Sequence, residues 1–261
     1  MKFHRIYASI LRHIYLFRHS LNRLGDAFYW PTIDLLLWGL TMSYAKTFSN
    51  NSEQLVLMVI SGIILWLIVW RAQYEITVSL LEDLWNRNMI NMYVSPFKLS
   101  EWIVSVIILG LIKAFVSLSF AAGVAYLLYR VKFFAFGFSL IPIALLLFMT
   151  GWWVGFFVAG LLLRYGTKVE QFAWSLVHLI SPFAAVYYPL SILPGWAQKI
   201  AMLIPVSYVF EAAREVLNKG ILDPNKLIIS FVLNIIYLIL SLIFLKKSFD
   251  KVLDKGLVKV F

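Results

Sequence analysis

Apolar residues run almost unbroken through six stretches, at about 27–45, 55–81, 102–128, 133–163, 171–188 and 227–245, with short polar breaks between them. A helix needs about 20 apolar residues to cross a bilayer. The pattern therefore predicts an all-α polytopic membrane protein with six transmembrane helices. The second stretch is longer than a bilayer requires, so its last turns, with Arg71 and Glu75 four residues apart, should project past the headgroups. A further stretch, 181–217, is strongly apolar but cut by Pro182, Pro189, Pro194 and Pro205. Each proline removes a backbone donor and steers the residue before it away from helix. The piece 195–204 would reach only about 15 Å as a helix. Residues 189–220 thus read as re-entrant outer helices before the sixth span, acting as a gate or as a packed interfacial loop.

Before the first span the periodicity changes. Phe3, Tyr7, Ile10, Ile14, Phe17, Leu21 and Leu24 recur at alternating spacings of four and three, with Arg5, Arg12, His19 and Arg23 off that stripe. Residues 1–26 are expected to form an amphipathic interfacial helix, lying in the headgroup plane or packed on the rest of the protein. They lack the apolar run and small-residue cleavage site of a secretory signal. The chain then divides into 1–26 and a six-span domain, 27–261.

Between spans two and three, 82–98 reads as a helix up to Ser95-Pro96. It shows Leu84, Trp85, Met89, Ile90 and Tyr93 among charged residues, as a short helix pushed by a soluble partner would. Ser100 with Glu101 looks like the cap and acidic first turn of span three. Gly151 and Gly155 form a small-xxx-small pair in span four, and Asp223-Pro224 opens span six.

Composition supports the membrane reading: the 261 residues are 62% hydrophobic and 14% charged, with a mean hydropathy of +0.84. The net charge of +10 would suggest nucleic acid for a soluble protein, but here it follows from orientation. With both termini cytoplasmic, inside segments hold fourteen Lys and Arg against seven outside, which is the asymmetry expected of cytoplasmic loops. Ionisable groups within spans are functional candidates. Lys113 lies near mid-depth with Asp34 as a possible partner, Arg71 and Glu75 are positioned to pair within one helix, and His178 suits a packing role. The other histidines, His4, His13 and His19, are all N-terminal, so the spans hold no pair for a haem. Cysteine is absent. There is no GxxxxGK[ST], HExxH or GxSxG and no dense acidic cluster, so no enzyme activity, cofactor or metal is expected of this chain.

Two stretches carry a resemblance. One is LLEDLWNRNMINMYVSPFKLSEWI, a span end followed by Ser95-Pro96 and Glu101. The other runs Pro189, Leu193-Pro194-Gly195-Trp196, Pro205, Tyr208 and Glu211-Ala212-Ala213-Arg214. Both resemble the ABC-2 family of bacterial ABC exporter permeases, and with the N-terminal helix the likeness covers essentially the whole chain. Asn86-Arg87-Asn88-Met89 departs from the family's acidic residue followed by Gly-Thr, which bears on how a partner docks.

The resemblance implies a homodimer in the bacterial cytoplasmic membrane, with two copies of a separate ATPase carrying ATP and Mg. Glu82, Asp83, Trp85, Arg87 and Met89 would form the ATPase-coupling surface. Pro189, Pro194, Trp196, Pro205, Glu211 and Arg214 would form the outer gate. The exported substrate would be amphiphilic: a drug, a lipid or a lipid-linked glycan. One alternative is an ion-coupled secondary transporter using Lys113, Asp34 and His178; another is a non-transporting scaffold subunit.

Overall fold

The computed structural model describes residues 1–45, 52–88, 91, 94–131 and 133–255. Met89, Ile90 and Tyr93 of the expected coupling helix lie outside the described residues. Among the latter the chain is all α, with no strand: α1 (Phe3–His19), α2 (Leu21–Ala45), α3 (Ser52–Trp85), α4 (Leu99–Tyr129), α5 (Leu140–Tyr165), α6 (Gln171–Ile180), α7 (Gly195–Ala201), α8 (Pro205–Lys219) and α9 (Pro224–Lys255). Four segments are long and apolar enough to cross a membrane: Gln54–Trp85, Leu99–Tyr129, Ala135–Val169 and Pro224–Val252.

Helix α3 is the axis of the bundle. Ile60, Ile64, Ile68 and Ile76 are buried, and so are Val59, Ile63, Trp66 and Gln73; together these fall on every side of the helix, as they must when neighbours surround it. Helices α2 and α4 pack on α3, α5 packs on it as well, and α9 packs on α5. Gly151 and Gly155 permit the α3–α5 contact. A Cβ at Gly151 would stand 2.5 Å from Ala72 Cβ, and one at Gly155 3.0 Å from Ile76 Cβ. The α5–α9 contact is polar at its centre: Thr150 Oγ1 donates to Asn234 Oδ1 at 2.9 Å, and Asn234 Nδ2 to the Leu146 carbonyl at 3.3 Å. Asp223 caps α9 by accepting the Asn225 N–H at 2.9 Å.

The two ends of α3 meet different parts of the chain. At its start Gln54 Nε2 donates to Asn218 Oδ1 of α8 at 2.7 Å. At its far end Asp83 takes Arg12 of α1. Its 34 residues measure about 50 Å at the usual rise, so the proline-cut segment and the N-terminal helix lie at opposite ends of the molecule.

Several expectations change. The amphipathic segment is broken at Ser20, whose extended backbone (φ −110°, ψ 110°) ends α1; Leu21–Asp26 belong to α2. The fifth apolar stretch is not a continuous span. Its α-helix stops at Ile180, a length of about 15 Å, because Pro182 starts a 3-10 turn, Ser181–Phe183, and Ala185 is left-handed at φ 58°. Glu82, Asp83 and Trp85 are not in a separate coupling helix but form the last turn of α3, which ends there as Arg87 turns left-handed at φ 52°. Lys98, not Ser100, is the N-cap of α4. Glu101 Oε2 accepts its N–H at 3.0 Å, while Oε1 accepts the N–H of Lys2 at 2.8 Å.

Candidate functional site

Midway along α3 a cavity of about 410 Å³ opens between α2, α3 and α6. Its walls are set by a simple spacing. Trp30, Asp34 and Trp38 follow one another at intervals of four on α2, as do Trp66, Trp70 and Tyr74 on α3, so each set stacks along one helical face. Trp174 and His178, again four apart, complete the wall from α6. The His178 ring packs 4.9 Å from that of Trp70.

The cavity has a roof and a floor. At the roof the Tyr187 ring stacks on Trp38 at 4.6 Å and 16°, and the Val186 carbonyl rests on Gly62, where a Cβ would come within 2.6 Å of that oxygen. This turn is held from α8. Arg214 donates to the carbonyls of Ala185 and of Tyr188 (2.9 Å for the latter), and to Glu211 Oε1 at 2.7 Å. Glu211 in turn accepts the Leu190 N–H at 2.9 Å. At the floor Arg71 donates to the Asp26 carbonyl and Tyr74 Oη to the Asp26 carboxylate.

Below the floor a series of ion pairs descends toward the far end of α3. Lys113 of α4 holds Glu75 with contacts of 2.8 and 2.9 Å to its two oxygens, its ammonium 4.8 Å from the Phe17 ring centre. Arg23 pairs with Glu82, Arg12 with Asp83, and Arg5 with Glu101 at 3.7 Å. The carboxylates of this series are buried, and a buried charge is costly unless it finds its partner.

Two expected pairings are corrected here. Arg71 and Glu75 do not bind each other, and Lys113 does not meet Asp34. Spacing along one helix favoured the first pair, but Asp26 from α2 and Lys113 from α4 reach α3 first. Glu82 (8% exposed) and Asp83 (1%) point inward onto α1 and α2, which leaves Trp85, Asn86 and Arg87 as the exposed surface at this end. Trp85 Nε1 donates to Glu170 at 3.2 Å, joining the end of α3 to the start of α6.

At the other end the residues expected to form an outer gate take different places. Glu211 and Arg214 hold the turn over the cavity, Pro189 and Pro194 precede a 3-10 turn and α7, and Pro205 starts α8. Trp196 remains 64% exposed. Sequence reasoning missed Asp26, Tyr74 and the indole walls, although the two runs of aromatic residues at intervals of four were there to read.

Helix α1 docks by its polar side. Phe3 and Tyr7 are 90% and 63% exposed, while Ile6 and His13 are buried. The arginines off the apolar stripe therefore serve protein carboxylates, and the start of the stripe, at Phe3 and Tyr7, is left exposed. His13 lies 4.0 Å from Glu82, yet burial outweighs the carboxylates of Glu75 and Asp83 and lowers its pKa to about 4, so it is neutral at pH 7. Arg12 and Lys113 oppose its charging as well. A histidine held neutral on folding adds stability above its ordinary value of 6.5 that is lost as pH falls from there toward 4. Thermal unfolding between pH 7 and 4 should show this loss, and His13→Asn should flatten it.

No curated protein matches the chain. A family model described as ABC-2 type transporter matches residues 13–218, from within α1 to the end of α8, spanning the cavity, its roof and its floor. The chain belongs to the ABC-2 type transporter family.

Proposed function

We propose that the protein is the membrane subunit of an ATP-driven exporter of amphiphilic molecules, working as a homodimer with two copies of a separate cytoplasmic ATPase that bind ATP and Mg. The observation that carries this reading is the reach of α3. One end touches the proline-cut segment through Asn218 and Val186; the other ends in exposed Trp85 and Arg87, tied to α6 through Glu170. A push on Trp85 has a rigid route to the roof of the cavity. Partner ligation then shifts the population between closed and open arrangements.

In this reading α2 and the α6 segment, with its flanking turns, complete six passes. The excess of Lys and Arg places α1 and both termini on the cytoplasmic side of a bacterial inner membrane, and α7 and α8 outside. Trp85 and Arg87, the latter within the departure Asn86-Arg87-Asn88-Met89, make the docking surface, while Glu82 and Asp83 act behind them by fixing α2 and α1.

Copurification of the permease with the candidate ATPase, followed by substrate-stimulated hydrolysis in vesicles, tests this. Trp85→Glu with Arg87→Glu should lower stimulated hydrolysis at least about tenfold while the permease dimer persists; the apolar anchor of an interface commonly carries 2 kcal/mol or more, roughly. Unchanged stimulation would reject the coupling surface. Transport that proceeds without any ATPase and follows a proton gradient would establish the secondary carrier instead.

A further inference from the structure

We propose that the cavity between α2, α3 and α6 binds an amphipathic organic cation, its charge against Asp34 and its apolar body among the indoles of Trp30, Trp38, Trp66, Trp70 and Trp174. The inference rests on the export reading for the ligand's route, and names the class of molecule the permease takes.

The charge balance of the cavity carries it. Two carboxylates, one guanidinium and one imidazole line the space, and one guanidinium cannot match both carboxylates. The acid left over is Asp34. Asp26 receives the Tyr74 hydroxyl, and its carbonyl receives Arg71. Arg71 also lies 5.8 Å from the Tyr74 ring centre, which keeps its cation on the floor. The next cation below, Lys113, is held by both oxygens of Glu75. Among the described residues no basic side chain forms a hydrogen bond or ion pair with Asp34.

Asp34 is exposed in the single chain, so its carboxylate is open to a ligand, and a carboxylate at membrane depth is costly until a cation meets it. Indole faces are the best aromatic partners for a cation, and here they share the cavity with an acid that forms no hydrogen bond or ion pair among the described residues. A volume of about 410 Å³ lies within the usual range for pockets that enclose drug-sized ligands. An anionic ligand meets Asp34 with the wrong sign. A neutral glycan can stack on the indoles but leaves the carboxylate unmatched.

The roof covers one end of the site, while Trp30 and Asp34 leave its α2 side open. Tyr187 lines the cavity and is carried on the turn that Arg214 holds from α8, so an exit past that end requires the turn to move. The residues that would release the ligand at that end are thus Glu211 and Arg214, and the ones that select it are Asp34 and the tryptophans.

The test uses purified permease in lipid nanodiscs, with displaceable binding of radiolabelled tetraphenylphosphonium read by scintillation proximity against empty discs. Saturable binding is expected. Asp34→Asn should weaken it about tenfold or more, and Trp38→Leu, which keeps the acid, should weaken it as well. Triphenylphosphine oxide, of related shape but uncharged, should not displace the cation. Absence of displaceable binding, binding by both variants equal to the parent's, or displacement by triphenylphosphine oxide equal to that by the unlabelled cation would overturn the proposal. So would saturable quenching of the tryptophans by maltotriose without an effect of the cation, which would assign the cavity to glycans. The assay contains neither ATPase nor nucleotide, so a negative result here leaves the coupling experiment standing, and a failed copurification leaves this one standing.

Discussion

Lys113→Met is expected to destabilise the purified permease by about 3–5 kcal/mol, the cost of leaving one member of a buried ion pair without its partner. The Lys113 side chain is 12% exposed and that of Glu75 8%. Lys113 supplies both contacts that the Glu75 oxygens make outside their own helix; what remains is the Ser79 hydroxyl, 3.3 Å away. Glu75→Gln combined with Lys113→Met should recover most of the loss, since a neutral amide facing a thioether strands no charge. Thermal unfolding followed by tryptophan fluorescence measures both. A single variant as stable as the parent would mean that Glu75 is matched some other way, and that the pair does not hold α3 to α4.

The second large effect is expected at the roof. Arg214→Ala removes donors to two carbonyls and to Glu211, and frees the turn at Ala185, whose left-handed backbone is unfavourable for a residue with a side chain. Hydrogen bonds from a charged donor contribute about 1.5–3 kcal/mol each, and about 1.4 kcal/mol already changes a population tenfold. The chain has no cysteine, so Tyr187→Cys gives a single reporter inside the roof. Its labelling by a membrane-impermeant maleimide, added from the side of α8, should quicken at least about tenfold when Arg214→Ala is added. Arg214→Lys should not restore the slow rate, because an ammonium cannot reach three acceptors as a planar fork does. Equal labelling rates with and without Arg214 would show that it does not hold the roof in place.

The two variants separate the halves of the molecule. Lys113 belongs to the series of ion pairs that fixes α1, α2 and α4 to the lower half of α3, and Arg214 to the segment that covers its upper half. A change in the first should appear as stability, and a change in the second as access. Tyr74 and Asp26 stand between them, on the floor of the cavity, where a movement of α3 relative to α2 would be felt first.

Much of the architecture was open to reading. Long apolar runs can be satisfied only as helices, so α3, α4, α5 and α9 follow from their composition. Pro182, Pro189, Pro194 and Pro205 forbid a continuous helix wherever it is formed, and the short α7 and α8 are the result. The α-helix of the fifth apolar stretch is cut short for the same reason, since the 3-10 turn at Pro182 follows directly on Ile180. The amphipathic stripe of α1 was visible, but not that Arg5, Arg12 and Arg23 would be turned toward Glu101, Asp83 and Glu82. Periodicity identifies faces and says nothing about what faces them.

The sequence by itself determined that the chain is a bundle of apolar helices with one segment broken by proline and a basic amphipathic helix at its start, because hydrophobic period and proline chemistry act locally. Only the tertiary structure decided that Lys113 takes Glu75 and not Asp34, that Arg71 turns to Asp26, and that Asp34 is left facing tryptophans from three helices. Those outcomes depend on which helices become neighbours and at what depth. A charge in a membrane is matched by whatever lies within a few ångströms of it, however far away that residue is along the chain.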